Sequence, residues 1–166
     1  MVFCSSMNKM TYTAAGLAEK LLTASGPSQT EIIRMIRHYA GDVLLMPLGA
    51  VNTGTGNKRL YASDAPLRAA VLMQLNRFGV PIGVLKRLFR FFEAYLKAEF
   101  KTNDLIEVAS KLKAPCLFVS LPEDGDSKTR RYVVVGEISR FEKLATRPLI
   151  AIPLSPYLEQ TTPRRP

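Results

Sequence analysis

Residues 25–47 read SGPSQTEIIRMIRHYAGDVLLMP, and the fold turns on how this stretch is parsed. Gly26 and Pro27 break any helix before them, because glycine tolerates backbone angles other residues avoid and proline cannot continue a helix. Ser28 or Thr30 offers the side-chain oxygen of an N-cap, and Glu31 falls in the first turn, where a carboxylate complements the helix dipole. The pattern predicts a helix over 30–40. At 100° per residue Ile32, Met35, Ile36 and Tyr39 share one face, while Thr30, Arg34, Arg37 and His38 share the opposite one. One face packs and the other is basic. A helix that reads DNA needs both, since its core fixes it while its outer side chains enter the major groove. A solvated charged face is the plain alternative.

On the N-terminal side, AAGLAEKLL at 14–22 groups Leu17, Leu21 and Leu22 on one side of a short amphipathic helix. On the C-terminal side, VLLMP at 43–47 is an apolar run ended by proline, and LGAVNTGTGNKRLYAS at 48–63 has a centre of Gly, Asn and Thr, which predicts a β-hairpin. Lys58 and Arg59 are placed at its tip, where two cations suit a phosphate backbone or a minor groove. Ser63 and Asp64 then offer caps for a third helix, with Pro66 in its first turn and Leu67, Val71, Leu75 and Phe78 on one face. Gly79 ends that helix, and Pro81 opens an extended one over 81–100. Its Leu85, Leu88, Phe92, Tyr95 and Glu99 are spaced three and four apart, as in a core seam or an exposed dimer helix. After a short helix at 103–112, APCLFVSL (114–121), RRYVVVGEI (130–138) and RPLIAIPL (147–154) read as strands. EDGDSKT (123–129) reads as a turn, and YLEQTTPRRP (157–166) as a frayed tail.

The whole chain sets bounds on these readings. Its 166 residues suit one domain, or a small domain with an appendage. With 47% apolar and 22% charged residues it has an ordinary globular composition. The formal charge of +9 favours a polyanionic partner, and the surplus leans toward the first 100 residues, which carry 12 basic and 6 acidic side chains. Two cysteines, Cys4 and Cys116, make neither a disulfide framework nor a metal knuckle. No apolar run reaches the roughly 20 residues of a membrane span, and the start lacks the features of a signal peptide, so a cytoplasmic protein without membrane contact is expected.

Three strings in this order resemble the MerR family of bacterial transcriptional regulators. YTAAGLAEKL at 12–21 is similar to the family's opening Tyr-Thr and first helix, and RHYAGDVLLMP at 37–47 to its Arg-Tyr-Tyr to Leu-Leu-x-Pro segment. RLYASD at 59–64 resembles the passage from the wing into the third helix, and VPIGVLKRLF at 80–89 the helix after it. The match covers roughly residues 11–95. The resemblance implies that Arg34, Arg37, His38 and Tyr39 belong to the DNA-facing helix or its support. It also implies that Lys58 and Arg59 lie on the wing and that Tyr12 and Tyr61 flank the DNA backbone, with Tyr61 equally suited to packing. Family members commonly dimerise through a long C-terminal helix and sense metals or drugs. Here His38 replaces the first Tyr of the pair, the turn and helix between Gly26 and Arg37 are about one turn longer, and the chain changes to strands after Phe100.

Other chemistries find little support. His38 is read as having no partner Asp or Glu nearby in sequence, TGTGNK at 53–58 lacks the spacing of a phosphate-binding loop, and EDGD at 123–126 is too short for a calcium loop. No enzyme activity, cofactor or metal is expected. The expected fold is mainly α with small β: a tail at 1–10, a winged helix-turn-helix head with extended helix at 11–100, and a small α+β module at 101–166. The expected function is sequence-specific binding of double-stranded DNA by a homodimeric transcriptional regulator, with Tyr12, Thr30, Arg34, Arg37, His38, Tyr39, Lys58, Arg59 and Tyr61 as candidate contacts. The alternatives are an architectural or excisionase-like DNA binder, and a C-terminal module that takes an effector or protein partner.

Overall fold

The computed structural model of the chain describes residues 10–23, 26–49, 58–120, 133–137, 139 and 149–161. The expected turn at 123–129, the loop centre at 50–57, Cys4 and most of the tail at 1–10 lie outside them. A two-residue strand, β1 (Tyr12–Thr13), leads into α1 (Ala14–Leu21). Thr13 caps α1, its hydroxyl accepting from the Gly16 amide at 3.1 Å. After the turn, α2 (Gln29–Gly41) starts at a capping box. The Ser28 amide and hydroxyl each donate to the Glu31 carboxylate at 2.7 Å, while the Glu31 amide donates back to the Ser28 hydroxyl. These bonds hold the Glu31 carboxyl below the ordinary carboxylate range. Ser28, rather than Thr30, is the cap.

The end of α2 bends the chain into the next strands. The Leu44 amide donates to Tyr39 and the Val43 amide to Ala40, a pattern that requires a left-handed residue between helix and exit. That residue is Val43, at φ 60°. A β-branched side chain there is strained, and glycine is the usual occupant. Leu44 and Leu45 are buried immediately afterwards, and their burial holds the turn. The strands β2 (Pro47–Leu48) and β3 (Leu60–Tyr61) pair antiparallel, and β3 also pairs with β1, so Tyr61 lies between Tyr12 and Pro47 in a three-stranded sheet. Lys58 and Arg59 therefore stand at the base of the connecting arm beside β3, not at its tip.

Two further helices follow, α3 (Ala65–Arg77) and α4 (Ile82–Phe100). Gly79, at φ 75°, makes the turn between them. α3 is buried on nearly every side through Leu72, as a central helix must be. Phe78, expected on its inner face, sits at the C-cap and is 60% exposed, because the helix has ended before that side chain can turn inward. Leu85, Leu88, Phe89, Phe92 and Leu96 make the buried side of α4.

The last third builds α5 (Leu105–Ser110), β4 (Pro115–Ser120), β5 (Val133–Glu137) and β6 (Leu149–Pro153) into a sheet of order β5-β4-β6, antiparallel throughout. β4 is buried along its whole length, as a central strand should be. The expected tail instead begins with a helix, α6 (Ser155–Thr161). It docks on α3: Gln74 Nε2 donates to the Tyr157 hydroxyl at 2.9 Å, Leu154 is buried, and Tyr157 and Leu158 pack against the core. Apolar side chains thus override a proline-rich sequence. One continuous core joins Leu17, Ile36 and Tyr61 to Leu72, Phe92, Leu117, Val135 and Ile152, so the module shares its interior with the head. The chain is a mixed α and β protein, mostly helical among the described residues, with two small three-stranded antiparallel sheets. No described helix is long and apolar enough to cross a membrane.

Candidate nucleic-acid interface

The packed face of α2 is as the 3.6-residue period requires: Ile32, Ile36, Tyr39 and Ala40 are buried, and Ile33 and Met35 pack against the core. Thr30, Arg34, Arg37 and His38 are exposed on the other side. Among the described residues, Arg34 and Arg37 make no salt bridge. Both guanidiniums are thus exposed on a helix that is capped at one end and anchored along one side. Each such side chain carries five donors.

The tyrosines behave otherwise. Tyr12, Tyr39 and Tyr61 are all buried, so their rings pack and do not form an outward contact surface. The Tyr12 hydroxyl reaches the Met10 sulfur at 3.7 Å. The Tyr39 and Tyr61 hydroxyls are enclosed with no hydrogen-bond partner among the described residues. Burial pushes all three phenols up, and at Tyr61 the neighbouring Arg59 and Arg37 partly offset it. Arg59 is close enough to act on that hydroxyl, without the geometry of a formed hydrogen bond. Arg37 of α2 and Arg59, directly before β3, are thus both near enough to Tyr61 to act on it electrostatically. Lys58, beside Arg59, is exposed.

An enclosed hydroxyl without a partner costs roughly 1–3 kcal/mol in desolvation. Tyr61→Phe and Tyr39→Phe are therefore expected to unfold no earlier than the wild type in urea, each gaining up to about 1 kcal/mol. A loss above about 1 kcal/mol in either variant would show that the hydroxyl makes a bond of value.

Two residues of this surface were not singled out from the sequence. Asp42 at the end of α2 bridges His38 Nε2 at 3.3 Å and Lys86 Nζ of α4 at 2.5 Å. The hydrogen bond from Lys86 is the largest cause that holds the Asp42 carboxyl below its ordinary range. His38 thus does have an acidic partner four residues on, contrary to the sequence reading, because one helical turn brings the C-cap Asp42 beneath it, whereas the Lys86 contact is tertiary. Beside β2 and the start of α3, an open cavity of about 360 Å³ is lined by Met46, Leu48, Asp64, Arg68, Glu93 and Asp104 among others. Its carboxylates are already engaged: Asp64 and Glu93 by Arg68, and Asp104 by the Ile106 and Glu107 amides. No three of His, Cys, Asp and Glu are grouped to hold a metal among the described residues, and Cys116 is buried. No family model and no curated protein matches the chain.

Proposed function

We propose that the chain is a sequence-specific double-stranded DNA-binding transcriptional regulator built on a winged helix-turn-helix and acting as a homodimer. The observation that carries this reading is the outer face of α2, where Thr30, Arg34, Arg37 and His38 are exposed on a helix locked from behind by Ile32, Ile36 and Tyr39. In this reading α1, the turn and α2 form the helix-turn-helix, and β2, β3 and the arm between them form the wing. α2 enters the major groove, while Lys58 and Arg59 lie along flanking phosphates. That both Arg37 and Arg59 act electrostatically on Tyr61 supports a reading in which helix and wing serve the same duplex. The net charge of +9 supplies the long-range attraction for a polyanion. The apolar seam of α4 is occupied within the chain, so pairing of two copies falls to its outer face, which carries the exposed Phe91.

Arg37→Ala and Arg59→Ala separate the two roles. If Arg37 reads a base, its loss is expected to cost about 1–3 kcal/mol and to relax preference at one position of the site. Losing a phosphate contact at Arg59 is expected to weaken all duplexes alike and to make the slope of log K against log[salt] shallower by about 0.9. Fluorescence anisotropy on matched and scrambled duplexes reads both effects. Unchanged affinity in both variants at moderate salt would overturn the assignment.

A further inference from the structure

Asp42 holds two partners at once, His38 of its own helix through one carboxylate oxygen and Lys86 of α4 through the other. We propose that this bridge presents the His38 imidazole so that it can donate a hydrogen bond to a DNA phosphate, or to an acceptor on a base edge, only as the protonated cation, which makes that contact take up a proton. The inference rests on reading α2 as the DNA-facing helix.

A neutral imidazole carries one N–H, and its other nitrogen is an acceptor. Asp42 is an acceptor facing Nε2, so the neutral ring keeps its single proton there and leaves Nδ1 as a lone pair. The side chain is 64% exposed, and Nδ1 has no hydrogen-bond partner among the described residues. Phosphate oxygens are acceptors too, so a neutral His38 meets them lone pair to lone pair. A second proton, taken from solvent onto Nδ1, converts that nitrogen into a donor and adds a positive charge. The same holds for an acceptor on a base edge, such as N7 or O6 of guanine.

Lys86 and Asp42 are positioning residues in this scheme. The ammonium of Lys86 keeps Asp42 ionised and ties it to α4, so the acceptor for Nε2 stays in place through the range in which imidazoles titrate. The charged groups around His38 are Asp42, Arg34 and Arg37 on or at the end of α2 and Lys86 on α4. An arriving phosphate adds a negative charge beside the imidazole. The complex then binds more protons than its separated parts, so affinity is highest at low pH and falls as pH rises.

The test measures affinity from about pH 5.5 to 8, the interval in which imidazoles change charge, at constant ionic strength on a selected site and on a scrambled duplex. Wild type, His38→Gln and Asp42→Ala are compared as full chains. Wild-type affinity is expected to fall by up to about tenfold per pH unit for each His38 engaged. His38→Gln is expected to be flat, because glutamine keeps an N–H for Asp42 but does not titrate. Asp42→Ala is expected to show a shallower dependence, since a freed neutral ring can turn an N–H toward DNA. A phosphate contact gives the dependence on both duplexes, and a base-edge contact gives it on the selected site alone. Equal pH dependence in wild type and His38→Gln would overturn the protonation, and equal dependence in wild type and Asp42→Ala would overturn the positioning. Both results would leave DNA binding intact, whereas no wild-type binding at any pH would overturn DNA binding and this inference together.

Discussion

Replacing Arg68 with alanine is expected to destabilise the whole chain by about 3–5 kcal/mol, the usual cost of stranding a buried charge. Arg68 is the centre of a nearly buried network. Its Nε donates to Asp64 at 2.6 Å, one terminal nitrogen reaches Glu93 of α4 at 3.4 Å, and the other donates to the carbonyl of Asn103 before α5. Asp64 also accepts from the Leu105 amide at 3.2 Å. One guanidinium thus joins the start of α3, the side of α4 and the entry to the last third. Without it Asp64 keeps a single neutral donor for a carboxylate inside the protein. Chemical denaturation and a fall in Tm of roughly 6–20 °C would record the loss. Arg68→Lys should rescue little, because one ammonium cannot reproduce three directed donors. A loss below about 1 kcal/mol in Arg68→Ala would contradict a structural role for the network.

A chain stopped at Phe100 is expected to lose cooperative folding. The cut removes Leu105, Val108, Leu117, Val119, Val135, Ile152 and Leu154 from the core they share with α3 and α4. It also removes the partners of Tyr95, which bonds the Val135 carbonyl, and of Gln74, which bonds Tyr157. Each large apolar side chain left uncovered forfeits about 1.5–3 kcal/mol, and a few of them exhaust the 5–15 kcal/mol by which a domain is stable. Circular dichroism of the truncated chain should show reduced helix and no sharp thermal transition. A sharp transition near the full-length Tm would contradict a shared core and establish the head as an independent domain.

The helices were legible because their apolar residues recur at helical spacing, and β4, β5 and β6 because β-branched runs stand between turn residues. Features decided by distant partners were not. β1 has only two residues and exists because β3 arrives beside it. α6 was hidden in a proline-rich tail, since only docking on α3 gives Leu154, Tyr157 and Leu158 somewhere to go. The exposed cations of α2 followed from its period, but aromatic residues beside them were misleading. Tyr12, Tyr39 and Tyr61 lie in the core that supports that surface. The four-residue spacing of Asp64 and Arg68 is local, but the burial of Arg68 and its bonds to Glu93 and Asn103 come from separate segments. Lys86 escaped for the same reason: its partner lies on another helix.

We propose that this chain reads duplex DNA. Selection from a random duplex library with purified full-length protein tests it most directly. The structure-based account predicts enrichment of an approximately palindromic site, as a two-fold dimer requires, with affinity that falls steeply as salt is raised. Recovery of no enriched sequence, with no salt-dependent binding to any duplex, would contradict it.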